Sequence, residues 1–211
     1  MKNPITEIML VRHGETAWNA EGRIQGHLDI PLNSTGLAQA EAVGQRLAAE
    51  EFHVIYSSDL NRAYRTALPI GLNRPVERRA ELREQHLGVL QGLTHAEAKI
   101  RHREAWESFT TRSTLQPIEG GEGLAVFATR VMDFIDECVR KHSGERLLLV
   151  THGGVLDVLY RHAHGKPLSS PRDFPIYNAS INVLRHCEGS WLAVSWGDID
   201  HLAQERALDD L

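Results

Sequence analysis

Apolar residues recur along the chain in two rhythms. Short runs, Ile8–Val11, Val54–Tyr56 and Leu147–Val150, are too brief for helices and read as buried strands. Longer stretches carry apolar residues at three- and four-residue steps. The clearest passes through Leu124, Phe127, Ala128, Val131, Phe134, Ile135 and Cys138 and is stopped by Gly144, as expected of an amphipathic helix. Leu37, Ala40, Val43 and Leu47 fall on one face of another helix, with Asn33 or Ser34 to cap it. Asp59 is expected to cap a helix running to about Leu68, before Pro69. Val155–His162 reads as a helix, and Pro75–Arg78 as a further strand. Ser180–Arg185 and Trp191–Trp196 read as a final strand pair turning at Glu188-Gly189-Ser190. Residues 85–120 are polar and rich in His and Arg, and predict one helix from about Thr94 to Phe109 within loops. Strands alternating with helices predict the α/β class: one domain over residues 1–211, with a mostly parallel central sheet flanked by helices.

Composition narrows the functions open to such a chain. Of 211 residues, 42% are apolar and 24% charged, which excludes a largely disordered chain. With 23 Lys and Arg against 28 Asp and Glu, the net charge of −5 argues against a basic face for nucleic acid. No apolar run is long enough to span a bilayer, and Met1–Leu10 lacks the apolar region of a signal peptide, so no membrane association is expected. Two cysteines, Cys138 and Cys187, make no disulfide framework and suit a reducing cytoplasm, while the periodicity puts Cys138 in the core. Twelve histidines are the unusual feature, and two of them stand in related settings.

Ile8-Met9-Leu10-Val11 runs into Arg12-His13-Gly14, and Leu148-Leu149-Val150 runs into Thr151-His152-Gly153-Gly154. In an open α/β sheet, ligands bind in the crevice at the carboxyl ends of the strands. If these strands are parallel neighbours, His13 and His152 face one crevice. The helix starting near Gly154 would also turn its amides there and favour an anion. Arg62 falls in the first turn of its helix, where a positive charge opposes the dipole, and an anion at the same place would account for it. Arg12, Arg62, His13 and His152 would form a cationic pocket in an acidic protein. Arginine's planar fork matches phosphate oxygens, so a phosphoryl group is the natural ligand.

The stretch Leu10-Val11-Arg12-His13-Gly14-Glu15-Thr16-Ala17-Trp18-Asn19 resembles the signature of the histidine phosphatase superfamily, which includes the cofactor-dependent phosphoglycerate mutases. The resemblance continues at Arg23-Ile24-Gln25-Gly26, Asp29-Ile30-Pro31-Leu32, Ser58-Asp59-Leu60-Asn61-Arg62, Leu82-Arg83-Glu84-Gln85-His86 and Val150-Thr151-His152-Gly153-Gly154, in the family's order and over most of the chain. It implies a three-layer α/β/α fold of the phosphoglycerate mutase type, with residues 85–120 covering the site. It also implies phosphoryl transfer through a phosphohistidine on His13. Arg12 and Arg62 would hold the phosphoryl oxygens. His152, Asn19 and Gln25 would donate hydrogen bonds to them, with Gly153 beside them. Glu84 would be general acid and base, its pKa rising beside a phosphate. Neither metal nor cofactor is implied.

Two reactions fit that pocket. In a phosphatase, water takes the phosphoryl group from His13. In a mutase, a hydroxyl of a phosphorylated acid does so, primed by 2,3-bisphosphoglycerate. The short path from Gly92 to Gly120-Gly121-Glu122 resembles the phosphatases, whereas Leu90-Gln91-Gly92 resembles the mutases. Thr94-His95 stands where the mutases have Asn-Lys. The expectation is therefore a phosphomonoester hydrolase acting on a small molecule. A non-catalytic anion-binding regulatory module would be expected to lack at least one of Arg12, His13, Arg62, Glu84 and His152, and all five are present. Trp18 fits either the pocket wall or the core. His162-Ala163-His164 has metal-like spacing but reads better as a solvated helix end. The His and Arg residues at 86, 95, 101, 102, 103 and 112 fit either an anion-selecting surface or a solvated face. The final strand pair is compatible with a homodimer and does not require one.

Overall fold

A computed structural model describes residues 4–71, 74–113, 118–202 and 208–209. Four strands, β1 (Thr6–Arg12), β2 (Val54–Ser58), β3 (Val76–Arg79) and β4 (Arg146–Thr151), are joined by helices and run parallel. Strands β5 (Ile181–Cys187) and β6 (Ser190–Asp198) close one edge as an antiparallel pair. The sheet order is β3-β2-β4-β1-β5-β6, so the fold is α/β with a mostly parallel sheet. The central strands are apolar on both faces because both are covered. Ile8, Leu10, Leu147 and Leu149 pack under α6 (Leu124–Lys141) and α7 (Gly153–Ala163). Met9, Val11, Leu148 and Val150 pack with Val43 of α2 (Ser34–Arg46), which follows the single-turn α1 (Ala17–Ala20), and with Ala63 and Ala67 of α3 (Asn61–Ala67).

Four local expectations need correction. Helix α2 is capped by Asn33, whose side chain accepts the Gly36 amide, but Leu37 is solvent-exposed. The buried stripe is Gly36, Gln39, Ala40, Val43 and Gly44, because the first turn packs on backbone rather than on side chains. A Cβ on Gly36 would lie 2.0 Å from the Glu15 carbonyl oxygen, and one on Gly14 would lie 2.5 Å from that of Gly36. Asp59 does not cap α3. The N-cap is Leu60, without a side-chain bond, and Asp59 pairs instead with Arg83 at 2.7 and 2.5 Å, which holds its carboxyl below the usual range.

The predicted helix from Thr94 is two helices, α4 (His95–Arg101) and α5 (Arg103–Thr110). Thr94 and Glu97 form a capping box at the start, and His102 leaves helical geometry at φ −137°, ψ 61°. The break lets Ala98 of α4 and Trp106 and Phe109 of α5 all face a small separate core of Ile24, Leu87, Leu90 and Ile118. The fourth correction concerns α7, which begins at Gly153 rather than Val155. Residues 114–117 of the cover segment lie outside the described residues. Cys138 is in the core, where burial pushes its thiol up to about 12. Among the described residues no helix is long and apolar enough to cross a membrane.

Candidate active site

Strand register builds the site. Arg12 of β1 stands opposite Thr151 of β4, so the following residues, His13 and His152, emerge side by side with ring centres 5.1 Å apart. On the other side of β4, β2 ends at Ser58, whose Oγ lies 2.8 Å from His152 Nε2. Helix α3 follows β2 and brings in Arg62. Three adjacent parallel strands thus deliver His13, His152 and Arg62 at their carboxyl ends. Thr66 fastens two of these loops together: its hydroxyl accepts from the Gly14 amide at 3.0 Å and donates to the Arg62 carbonyl at 2.7 Å.

His13 has a defined tautomer. Its Nδ1 lies 2.7 Å from the Gly14 carbonyl oxygen, which can only accept. Nδ1 therefore carries the proton, and in the neutral ring Nε2 keeps its lone pair. Burial, and after it the charges of Arg62 and Arg12, hold the His13 pKa well below the ordinary histidine value. Burial, Arg62, His13 and Arg12 do the same for His152. Both rings are neutral at pH 7 without an anion.

A cleft of about 660 Å³ runs over this floor, within the range of small-molecule sites. His13, Asn19, Gln25, Arg62, Glu84 and Gly153 line it, while Arg12 and His152 are fully buried just beneath. The Arg12 guanidinium donates to the Ile176 carbonyl at 2.6 Å and to that of Leu208 at 3.3 Å. Arg62 donates to the carbonyls of Gly26 and Leu28, each at 2.8 Å. The carboxamide oxygens of Asn19 and Gln25 lie 2.9 and 3.1 Å from the Thr16 hydroxyl. An amide held by its oxygen turns its NH2 group the other way, and both residues line the cleft. Trp18 belongs to the cleft wall.

Glu84 takes the α7 amide that was expected to serve a ligand. Its carboxylate accepts from Gly154 N–H at 3.0 Å and from Gln85 N–H at 2.8 Å. Glycine at 154 leaves room for that carboxylate, since a Cβ would lie 2.1 Å from Glu84 Oε1 and push it aside. The histidines and arginines of the cover divide. Arg101 and Arg103 are exposed, and His86 packs edge-on to His27 at 4.7 Å. His95 and Arg112 line the cleft, Arg112 paired with Asp157 of α7. His162 and His164 sit exposed at the end of α7, with His164 stacked on Tyr160.

Reading the chain by motif missed several residues that this geometry makes prominent. Ser58, inside a quoted motif, and Thr66, four residues beyond its end, are short polar residues that carry no obvious signal. Asp157 did carry one, as an acid inside the apolar stretch Val155-Leu156-Asp157-Val158-Leu159, four residues before the buried Arg161 that it pairs with. Arg172, paired with Asp209, and His27 had none.

Comparison with known proteins bears on the family and the fold. The family model described as the histidine phosphatase superfamily (branch 1) matches residues 8–199. The Arabidopsis thaliana protein named metal-independent phosphoserine phosphatase is 41% identical over 96% of this chain and 86% of its own length. Another Arabidopsis thaliana protein, named phosphoglycerate mutase-like protein 4, is 43% identical over 94% of this chain and 87% of its own. The crystal structure of an Entamoeba histolytica phosphoserine phosphatase in complex with 3-phosphoglyceric acid matches with a TM-score of 0.84 and 26% identity, covering 93% of this chain and 99% of that one.

Proposed function

The chain belongs to the histidine phosphatase superfamily and is a phosphomonoester hydrolase; we propose that it works through a phosphohistidine on His13. The observation that carries this reading is the fixed His13 tautomer, a bare Nε2 lone pair in one cleft with Arg62 and Glu84. Nε2 attacks phosphorus as the ester P–O bond breaks, and Arg62, Arg12 and the Asn19 and Gln25 amides take up charge on the phosphoryl oxygens. His152, neutral beside His13, donates to the same oxygens, and the Gly153 backbone lies alongside. Glu84, protonated when the dianion binds, gives its proton to the leaving alkoxide. Water then attacks phosphorus, its proton returns to Glu84, and phosphate leaves neutral His13. No step calls on a metal or a cofactor.

We propose a small phosphorylated carboxylic acid as substrate, of the phosphoserine kind. Arg112 and Arg172 line the cleft beside Asp157 and Asp209, so its wall offers cations for a carboxylate and anions for an ammonium. Hydrolysis fits better than transfer to a second hydroxyl. The cleft has room for water beside a three-carbon ester, and Gln91, the residue of mutase aspect, has a structural task. Its Oε1 accepts the His27 amide at 2.7 Å. Free Cys138 and Cys187 favour the cytoplasm, and we propose a protein without nucleic-acid or membrane partners.

The test is release from 3-phosphoglycerate and phosphoserine, with and without 2,3-bisphosphoglycerate, following free phosphate and 2-phosphoglycerate together. Free phosphate without isomer is expected. Isomer formation that depends on the bisphosphate would make the chain a mutase. Arg112→Ala should raise KM for phosphoserine on the order of tenfold, the usual cost of one lost ionic contact, and leave p-nitrophenyl phosphate unaffected.

A further inference from the structure

Glu84 lies between two short 3-10 turns, Ala80–Leu82 and Gly88–Leu90, in a stretch that belongs to no helix or strand. No ladder of backbone hydrogen bonds sets its position, so side chains from elsewhere must. Arg130 of α6 donates to the carbonyls of Glu81 at 2.7 Å, Arg83 at 3.2 Å and Glu84 at 3.2 Å. Glu122 balances its charge at 2.6 Å. His27 Nε2, which also lies 3.8 Å from Glu122 Oε1, is 2.8 Å from the same Glu84 carbonyl oxygen. A carbonyl only accepts, so Nε2 carries a proton and donates it.

The loop that carries His27 is the one that holds the phosphate-facing arginine. The carbonyls of Gly26 and Leu28, on either side of His27, are the acceptors for Arg62. The His27 amide is itself pinned by Gln91. Three consecutive residues therefore fix Arg62 through backbone and Glu84 through the His27 ring. We propose that His27 is a positioning residue for the proton donor, holding Glu84 at a set distance from the arginine that grips the phosphoryl group. This rests on the reading of Glu84 as general acid. Neither His27 nor Arg130 touches the reacting atoms. What His27 supplies is registration between the clamp and the acid, where a displacement of about 1 Å costs on the order of 100-fold in rate.

The test is the dependence on leaving group. His27→Leu removes the donor, and His27→Gln keeps an N–H at nearly the place of Nε2. kcat/KM is measured with p-nitrophenyl phosphate, whose leaving group departs without a proton, and with an alkyl phosphate the wild type hydrolyses, which needs one. Both variants are repeated on a Glu84→Gln background. His27→Leu should lower kcat/KM for the alkyl ester by roughly 10–100-fold and for the aryl ester by less than about 3-fold. His27→Gln should recover most of the loss, and His27→Leu should cost nothing further once Glu84 is Gln.

Equal losses for the two esters, no loss, or an equal deficit in His27→Gln would overturn the proposal. If Glu84→Gln discriminates between the esters and His27→Leu does not, the positioning role falls and the acid stands. If Glu84→Gln itself slows both alike, the acid assignment falls and takes the positioning role with it. The aryl ester serves as the check that each variant is folded.

Discussion

His13, Arg12 and His152 stand at the ends of paired central strands and are 3%, 0% and 0% exposed. His95 and Arg112, across the cleft, are carried by two short helices and the turn that ends them, over a satellite core of five buried side chains. The floor is ordered by sheet register and by two large clusters on either face of the sheet. The cover is ordered by individual polar contacts: the Thr94 capping box, Arg23 to Glu97 at 3.0 Å, and Arg112 to Asp157 and to the Leu168 carbonyl. Chemistry that must not move rests on structure that is costly to move. Selection of the substrate rests on structure that a few substitutions can remodel.

The largest test of this contrast is His13→Ala. It should lower turnover by more than about 1000-fold, as removal of a nucleophile does, and shift Tm by only a few degrees. Phosphate release and thermal melting measure the two effects. Retained activity would break the reading of the floor.

Gly154→Ala comes next. The new methyl group would displace the Glu84 carboxylate, so it should slow alkyl esters on the order of 10–100-fold while aryl esters are spared. Equal slowing would mean that the floor, not the acid, was disturbed.

The third concerns pH. His13 and His152 have folded pKa values below their unfolded value. Below about pH 6.5 the unfolded chain takes up protons that the folded chain refuses. Stability should therefore fall as pH drops under that value, by up to about 1.4 kcal/mol per pH unit for each histidine, and be flat above about pH 7. Denaturant melts across pH 5–8 measure it, and His152→Asn should reduce the slope by its share, with the part-buried His27 and His201, which burial also holds below the usual histidine value, supplying some of the remainder. A slope unchanged by that variant would place the sensitive groups elsewhere.

Thr94→Ala should have the smallest effect. The lost cap costs about 1 kcal/mol, and hydrogen exchange should locate the loosening in α4 and α5 while the central strands stay protected. Loosening spread through the sheet would mean that floor and cover are one cooperative unit.

The same division explains what could be read from the sequence. Strand ends, helix periods and the His13, His152 and Arg62 motifs are short-range patterns, and the fold kept them. Register then followed from two similar strands lying side by side. What was not legible depends on contacts between distant segments. Asp59 reads as a cap until Arg83, 24 residues away, claims it. The predicted helix from Thr94 breaks at His102 because two helix faces must meet one small core. Leu37 turns outward because glycine-to-backbone packing, not the apolar pattern, sets the rotation of α2.

The Gly14 carbonyl, by occupying Nδ1 of His13, would also dictate which isomer of the proposed covalent intermediate forms. Phosphorus can bond only to Nε2, giving a single phosphoramidate regioisomer. Such a P–N bond survives alkali but is cleaved once its nitrogen is protonated. An acid quench would therefore erase the intermediate, whereas denaturation in alkali would preserve it for mass spectrometry.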